Sequence, residues 1–151
     1  MKIVKLCLEI IDSPWVVRFF EKSGRLPFKP TNPGAPKDKV YLELKRIRSI
    51  YLLRPKGVAI NMSPKTVLVE YETENIDYYQ RFTVDVSEVE RLVKDDKIEL
   101  IPVEVINIIT EWDADEAMAG YKIDLRTGEV EHWDVRNEYL DLVYDLFYGD
   151  Q

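Results

Sequence analysis

Four carboxylates stand close together in the last third of the chain and could bind a metal ion. They fall within six residues: Glu111, Asp113, Asp115 and Glu116. Clustered carboxylate oxygens are the ligands that Mg²⁺ and Ca²⁺ prefer, and metal-dependent nucleases use them in two-metal sites. The spacing does not match a calcium-binding EF-hand loop, because Met118 stands where that loop requires glycine. A solvated acidic loop is the alternative, and we favour it over a metal site.

A second group of candidate residues is basic and lies in the middle of the chain. It consists of five cations with two aromatic neighbours: Lys45, Arg46, Arg48, Arg54 and Lys56, beside Tyr41 and Tyr51. Cations interleaved with aromatic rings suit phosphate contacts and base stacking, so this run predicts a nucleic-acid-binding strand. A solvated sheet face, or an edge strand charged to prevent aggregation, is the alternative. We favour the alternative because the overall acidity of the chain opposes non-specific binding of nucleic acid.

The third group is acidic, and it reflects an uneven distribution of charge. Residues 1–65 carry 14 basic and 5 acidic side chains, a net of plus nine, whereas residues 66–151 carry 7 and 23, a net of minus sixteen. A row of carboxylates can take the place of DNA phosphates in a basic groove of a partner, with aromatic residues as interface anchors. The residues predicted to bind such a partner are Glu131, Trp133, Asp134, Asp141, Tyr144, Asp145 and Tyr148.

Other familiar catalytic groups are missing from the sequence. Cys7 is the only cysteine and His132 the only histidine, which excludes an intramolecular disulfide and any multi-cysteine or multi-histidine metal site. The sequence contains neither of the common glycine-rich phosphate-binding motifs and no serine flanked by glycines. We therefore expect a protein without a cofactor that is not an enzyme, although carboxylate–metal chemistry remains open.

The length and composition indicate one folded domain. The chain has 151 residues, of which 46% are hydrophobic and 32% charged, enough apolar material for one core. No stretch approaches the ~20 apolar residues that cross a bilayer, and Lys5 and Glu9 interrupt the apolar N-terminus where a signal peptide would be continuous. We expect a single domain over 1–151 that is cytoplasmic and does not bind a membrane.

The N-terminal part of the chain has clear secondary-structure signals. Apolar residues at even positions over 4–10 predict a half-buried strand. Ser13 and Pro14 are typical of the first positions of a helix, so we predict a helix over 14–23. Proline then recurs at every third position, which predicts a proline-rich loop over 26–38.

The middle and the end of the chain are predicted to be mainly strands. The predicted strands cover residues 40–44, 47–53, 58–62, 66–72, 78–84, 100–112, 121–125 and 129–135. Between the first two of them the alternation of apolar residues slips, which indicates a bulge or a break. Ser87 and Glu90 form a capping box that predicts a short helix, Gly128 suits a hairpin turn, and Asn137 begins a predicted terminal helix.

These elements predict an α+β fold, mainly an antiparallel β-sheet meander with about three short helices. The helices are placed after the first strand, after the central strands and at the C-terminus. Our first functional hypothesis is a small acidic interaction protein that binds a basic surface of a macromolecular partner and inhibits a nucleic-acid-handling machine. The alternative is a nucleic-acid-binding protein or metal-dependent nuclease that uses the cations of 45–56 and the carboxylates of 111–116. A homodimer is the third hypothesis.

Overall fold

A computed structural model describes residues 1–35, 39–57, 62–136 and 146. The strands in these ranges are β1 (Lys2–Ile10), β2 (Arg25–Pro30), β3 (Val40–Glu43), β4 (Ile47–Pro55), β5 (Thr66–Thr73), β6 (Ile98–Pro102), β7 (Val105–Asp113), β8 (Glu116–Asp124) and β9 (Val130–Asp134). The helices are α1 (Pro14–Ser23), α2 (Ile76–Gln80) and α3 (Val86–Lys94), and a 3₁₀ helix spans Leu44–Arg46. The predicted α+β class with mainly antiparallel strands is confirmed.

The strands form two antiparallel sheets. The larger sheet has six strands in the order β3-β2-β1-β5-β4-β6, and the smaller has three in the order β7-β8-β9. β1 lies near the centre of the larger sheet and pairs with β5 along eight residues, from Lys2 opposite Thr73 to Glu9 opposite Thr66. Both faces of β1 are buried, because Leu6, Cys7 and Leu8 are all at most 2% exposed.

Helices cover both faces of the larger sheet. α1 places Val16, Val17 and Phe20 in a core with Leu6 and Leu8, while Val89 of α3 packs with Cys7 and other residues of the opposite face. Burial raises the pKa of the Cys7 thiol, since the charged thiolate loses its hydration there. Cys7 is thus a buried apolar residue, as its strand position predicts.

The smaller sheet contributes to the same core as α1. Ile106 and Ile108 of β7 and Ile123 of β8 belong to the hydrophobic cluster that contains Leu6 and Leu8. The period-two alternation of β7 places Asn107, between these isoleucines, on the exposed side. The outer face of the smaller sheet is therefore turned towards solvent.

The helix predicted over 14–23 is confirmed as α1. The Ser13 side chain accepts a hydrogen bond from the Trp15 N–H at 3.2 Å, and the helix ends at Gly24. The hairpin turn predicted at Gly128 is also confirmed, since Gly128 has a φ of +78° between β8 and β9. Within the described residues, no helix is long and apolar enough to span a membrane.

Part of the proline-rich loop predicted over 26–38 was wrong. Arg25–Pro30 is strand β2, which pairs with β3 on one side and β1 on the other. Leu26 and Phe28 are buried in the core, at 2% and 1% exposure. Pairing and burial outweigh the signal of the prolines. Among the described residues, Pro27 pairs only with β3 and Pro30 only with β1, so each proline lies where one side of the strand has no ladder partner and a missing N–H is tolerated.

The strand predicted over 78–84 was wrong as well. α2 occupies Ile76–Gln80, and the following turn is closed by the Phe82 N–H donating to the Tyr79 carbonyl at 3.1 Å. The aromatic residues pack at helical spacing, because the rings of Tyr78 and Phe82 lie 5.5 Å apart. Alternation of aromatic and polar residues resembles a strand in the sequence, but here it serves a helical turn.

The helix predicted at Ser87 begins two residues earlier than the capping box indicates. Asp85 is the N-cap: its carboxylate accepts from the Ser87 N–H at 3.0 Å and from the Ser87 hydroxyl at 2.7 Å. These hydrogen bonds lower the pKa of Asp85, with the hydroxyl making the larger contribution. Asp and Ser are both good N-cap residues, and the chain uses the first of them.

Two predicted strands are divided differently in the structure. The run over 100–112 is split into β6 and β7, which belong to different sheets, and Pro102 ends β6 on the edge of the larger sheet. The phase slip after β3 is a break, formed by the 3₁₀ helix Leu44–Arg46. The strand predicted over 58–62 and the terminal helix begun at Asn137 lie outside the described residues, except for Met62 and Leu146.

Candidate functional site

The acidic residues 111–116 form a tight hairpin between β7 and β8, where a loop was predicted. Asp113 and Glu116 are the last register pair, and Ala114 and Asp115 form the turn. Both turn residues have positive φ, at +47° and +69°. This is the backbone of a type I′ turn, for which glycine or asparagine is the usual choice.

Two features of this turn oppose the local fold. Like charges that face each other across an antiparallel pair are destabilising, as Asp113 and Glu116 are here. Ala114 has a left-handed conformation, which costs a residue with a Cβ about 1–2 kcal/mol. Strained or locally unfavourable residues tend to cluster where a protein binds something.

The end of this hairpin also exposes a large aromatic side chain. Trp112 precedes Asp113 on β7 and is 63% exposed. We call Trp112, Asp113, Asp115 and Glu116 the acidic hairpin tip. Trp112 is not among the site residues predicted from the sequence, although an aromatic residue inside a run of carboxylates was the available signal.

Arg136 forms ion pairs with two carboxylates that the sequence predicts to be site residues, Glu111 and Asp134. It donates from its backbone N–H to Asp134 at 2.9 Å and from Nη2 to the Asp134 carboxylate at 3.0 Å, and it also forms an ion pair with Glu111. The Asp134 side chain is only 13% exposed. These contacts raise the pKa of Arg136, mainly through the hydrogen bond to Asp134. Glu111 and Asp134 thus join β7 to the end of β9.

Trp133 packs closely on the outer face of the smaller sheet. It lies opposite Gly120, where an added Cβ would be 2.9 Å from the Trp133 ring and 2.5 Å from the Ile108 carbonyl oxygen. Glu131 is exposed and lies opposite Lys122 on β8. The other predicted partner-binding residues, Asp141, Tyr144, Asp145 and Tyr148, lie outside the described part of the chain.

The predicted metal ligands do not converge in the structure. Within the described residues, no group of three or more His, Cys, Asp or Glu side chains could hold a metal ion. Glu111 is engaged by Arg136, and Asp113 and Glu116 sit on either side of a turn. A metal site at Glu111, Asp113, Asp115 and Glu116 stays a prediction with no preformed geometry to support it.

The predicted basic strand is interrupted, and its first two cations are elsewhere. Lys45 and Arg46 lie in the 3₁₀ helix, whereas Arg48 and Arg54 lie on β4 and Lys56 follows it. The placement of Lys45, Arg46 and Arg48 along one strand was therefore wrong. The phase slip after β3 was the sequence signal for this break.

Four of these five cations are paired with carboxylates of the same sheet region. Arg46 Nε lies 2.6 Å from Glu43, Lys56 Nζ lies 2.6 Å from Asp96, and Arg48 and Arg54 form ion pairs with Glu72 and Glu99. The hydrogen bond from Arg46 lowers the pKa of Glu43, and that from Lys56 lowers the pKa of Asp96. Among the described residues, Lys45 alone of the five makes no ion pair.

The segment that contains the smaller sheet carries an excess of negative charge. Residues 104–136, which contain the smaller sheet, carry nine acidic and three basic side chains, a net of minus six. Residues 1–103 have a net charge of plus three, from 18 basic and 15 acidic side chains.

No known family model, no curated protein and no solved structure matches this chain.

Proposed function

We propose that this chain is a non-enzymatic interaction protein whose acidic hairpin tip binds a basic surface of a partner protein. The observation that carries the proposal is the facing pair Asp113 and Glu116, closed by a turn in which Ala114 has positive φ. A turn chosen for stability alone would have opposite charges and a glycine here. A cationic partner would relieve the repulsion between the two carboxylates.

The distribution of ion pairs supports the same assignment. Most cations of the predicted basic run are neutralised by neighbours, whereas Asp113, Asp115 and Glu116 make no ion pair with any described residue. Unpaired exposed carboxylates attract cationic surfaces over distances near ~10 Å and accelerate their encounter. The tip is therefore suited to electrostatic recognition.

Trp112 supplies the apolar contact that such an interface needs. Exposed tryptophan side chains are among the most frequent anchors of protein interfaces, because one ring buries a large area at a small entropic cost. At 63% exposure, most of the Trp112 side chain is available to a partner. The expected partner surface has an apolar pocket surrounded by Lys and Arg.

The clustering of the charges favours one class of partner. Three carboxylates within four residues of a narrow hairpin, Asp113, Asp115 and Glu116, resemble the phosphates of a nucleic-acid strand more than they resemble a dispersed acidic surface. We therefore propose a partner whose basic groove normally holds nucleic acid. Occupation of that groove by the hairpin would inhibit the partner.

The test compares captured proteins between matched variants of the whole chain. The tip variant carries Asp113→Asn, Asp115→Asn and Glu116→Gln. The control variant neutralises three exposed acids elsewhere, through Glu21→Gln, Glu74→Gln and Asp77→Asn. Both remove the same charge, so a difference between them reports the position of the carboxylates and not the net charge.

The expected result is a protein that wild type and the control retain and the tip variant loses. Single-stranded or double-stranded DNA, which competes for the same groove, should then release the purified partner. The Trp112→Ala variant should bind the purified partner more weakly than wild type does. Equal capture by the tip variant and the control would refute the proposal. Retention of the partner in excess DNA would refute the groove-binding part alone.

A second candidate function, nucleic-acid binding, is favoured by one observation on α1 and β3. The rings of Trp15, Phe19 and Tyr41 form a row with centroids 5.5 and 4.7 Å apart, and Lys39 Nζ lies 3.9 Å from the Trp15 ring centroid. The described residues of 13–57 carry ten basic and two acidic side chains. Aromatic rings among cations suit a single strand better than a duplex.

Binding of labelled single-stranded DNA and RNA at two salt concentrations, with and without Mg²⁺, tests this second candidate. A shift that weakens with salt and is lost in Trp15→Ala with Lys39→Glu would support it. Cleavage that requires Mg²⁺ would support the nuclease alternative. The absence of both a shift and cleavage would exclude the basic segment as a nucleic-acid site.

A further inference from the structure

β1 is an inner strand of the larger sheet, yet one of its two edges is only partly covered. On one side β5 pairs with β1 from Lys2 to Glu9, whereas on the other side β2 pairs only with Leu8, Glu9 and Ile10. Within the described chain, residues 2–7 of β1 have no strand partner on the β2 side. We call this side of residues 2–7 the open edge of β1.

The hydrogen bonds of Cys7 show which backbone groups face the open edge. The Cys7 N–H donates to the Thr83 hydroxyl at 2.6 Å, and the Cys7 carbonyl accepts from the Thr31 hydroxyl, so neither group points to β5. Along a strand in an antiparallel sheet, alternate residues turn their N–H and C=O groups to the same side. The N–H and C=O groups of Ile3 and Lys5 therefore face the open edge and have no strand partner there among the described residues.

A groove of about 430 Å³ lies along the open edge, between α2 and the start of α3. The two helices are on opposite faces of the sheet, because Ile76 of α2 packs against the cluster of Leu6 and Val86 of α3 against the cluster of Cys7. An extended residue advances about 3.3 Å and fills about 160 Å³ at ordinary strand and sheet spacings, so the groove holds about three residues of an extended chain.

Apolar side chains line the groove on both faces of the sheet. They are Ile3, Ile76, Val84 and Val86. Ile3 is 48% exposed, although it lies within a strand of the larger sheet. Side chains of an added strand would alternate between the two faces and contact these residues as cross-strand neighbours. The groove therefore favours a segment with apolar side chains on both of its faces.

The charged side chains of the groove leave one carboxylate without a cation. They are Lys5, Asp85 and Glu90. Lys5 Nζ lies 3.5 Å from Glu90 and balances its charge. Asp85 accepts hydrogen bonds from Ser87, and no described cation forms an ion pair with it. A lysine or arginine of a bound segment would complement this carboxylate.

We propose that the open edge of β1 binds an extended segment of a partner protein, which adds a strand to the larger sheet between α2 and α3. The main chain of the segment exchanges hydrogen bonds with Ile3 and Lys5, its apolar side chains line the groove, and a basic side chain pairs with Asp85. Unpaired N–H and C=O groups along a strand are a template for such an addition. The site belongs to the larger sheet and is independent of the acidic hairpin tip.

Amide hydrogen exchange of the whole protein, followed by NMR, tests the open edge first. The amides of Val4 and Leu6 face β5, so those of Ile3 and Lys5 should exchange at least about tenfold faster. Protection of Ile3 and Lys5 in the free protein would show that another part of the chain covers the edge and would overturn the proposal. Protection that rises with protein concentration would assign the edge to a second copy and would also overturn it.

A phage-displayed library of random linear eight-residue peptides is the probe for binding to the wild-type chain. Synthetic copies of the enriched peptides should contain Lys or Arg among apolar residues and should protect the Lys5 amide from exchange. Lys5→Pro should weaken them at least about tenfold, because it removes the N–H that faces the groove and places the proline ring there. Lys5→Ala keeps the N–H and should bind them as wild type does.

Proline should be tolerated at this position, because the Lys5 N–H makes no ladder bond. Circular dichroism checks that Lys5→Pro is folded, and Ile3→Pro, closer to the end of β1, is a second variant with the same expected loss. The absence of enriched peptides, or equal binding to wild type and the folded proline variants, would overturn the proposal.

Two further comparisons locate the bound peptides. Asp85→Asn keeps a good N-cap residue and should weaken basic peptides about two- to fivefold, whereas Asp77→Asn, outside the groove, should not. The tip variant should bind the same peptides as tightly as wild type. Loss of the peptides in the tip variant would place them at the hairpin tip and would refute the assignment to β1.

Discussion

Asp113 and Glu116 face each other as the last register pair of the β7–β8 hairpin, two carboxylates joined by a two-residue turn. The alternation of strand side chains puts directly opposed residues on the same face of the sheet, where their Cβ atoms are about 4.5–5.5 Å apart. Arg136, which follows β9, engages Glu111 and Asp134, and no cation among the described residues forms an ion pair with Asp113 or Glu116. The tip therefore holds two facing carboxylates that no described cation neutralises.

The first prediction is that Ala114→Gly stabilises the protein. Glycine adopts positive φ without the Cβ clash that alanine has at +47°, so the free energy of unfolding should rise by about 1 kcal/mol. Urea denaturation followed by circular dichroism measures this. Asp113→Lys, which converts the facing pair into opposite charges, should also stabilise, by about 0.5 kcal/mol.

These two variants separate stability from binding. Ala114→Gly keeps every carboxylate and should retain the partner of the hairpin tip, whereas Asp113→Lys should lose it. Destabilisation by both variants would mean that the tip is not locally strained and would contradict the proposed function of the tip.

The second prediction concerns a hydroxyl that bonds the centre of β1. The Thr83 hydroxyl accepts from the buried Cys7 N–H at 2.6 Å and lies 3.3 Å from the Cys7 carbonyl oxygen. Thr83→Val keeps the shape but leaves the Cys7 N–H without an acceptor, so unfolding should require about 1–3 kcal/mol less. Faster amide exchange at Cys7 should accompany the loss.

Thr127→Val is the control for this hydroxyl. Thr127 is exposed and accepts from the Glu129 N–H at 3.2 Å, where water can replace it. The expected change is below about 0.5 kcal/mol. Equal effects of the two substitutions would contradict the role assigned to Thr83.

The third prediction is that Gly120→Ala disrupts the outer face of the smaller sheet. The new Cβ would be 2.5 Å from the Ile108 carbonyl oxygen and 2.9 Å from the Trp133 ring, so the backbone or the ring must move. Overpacking of this kind costs about 1–3 kcal/mol. The Trp133 emission should shift as its environment changes, and Trp133→Phe should remove that shift.

Gly34→Ala provides the matched glycine control. The nearest atom to its added Cβ is Asn32 Oδ1 at 3.7 Å, an ordinary contact, so no clash arises. This variant should be as stable as wild type within about 0.5 kcal/mol. If Gly120→Ala left the free energy of unfolding unchanged, the neighbouring strands would be able to move away from the added Cβ, and the prediction would be contradicted.

The fourth prediction is a loss of stability in alkaline solution that depends on Tyr71. Burial raises the pKa of Tyr71 from 10.0 to about 12, because the phenolate loses its hydration in the core. Folding thus favours the protonated phenol. The stability it contributes is fully present below pH 10 and is lost as the pH rises towards 12.

Urea unfolding of Tyr71→Phe at about pH 8 and about pH 11 tests this assignment. The variant leaves the Glu43 N–H, which donates to the Tyr71 hydroxyl at 3.1 Å, without that acceptor, so it should be about 1 kcal/mol less stable at the lower pH. Its further loss at the higher pH should be smaller than that of wild type. The exposed Tyr78→Phe should behave as wild type, and an equal fall in all three proteins would contradict the assignment.

Local signals in the sequence were sufficient for several elements. The alternation over 4–10 indicated β1, and Ser13 with Pro14 indicated α1, because these patterns depend on neighbours a few residues away. The local sequence patterns gave the wrong element where pairing with strands distant in the sequence decides which element forms. β2 forms despite its prolines because β1 and β3 pair with it, and 100–112 is divided because its two halves join different sheets.

In the candidate site, too, some features depend on the sequence alone and others depend on which strands become neighbours. By itself the sequence determined that this chain carries a carboxylate run at 111–116 and a cation run at 45–56, and that multi-histidine and multi-cysteine metal sites are excluded. Only the tertiary structure decided which charges remain available. β-Sheet register brings Arg54 opposite Glu99 and neutralises it, whereas the hairpin sets Asp113 against Glu116 and leaves both unpaired with any described cation. Ion pairing depends on which strands become neighbours, and that is settled by long-range packing.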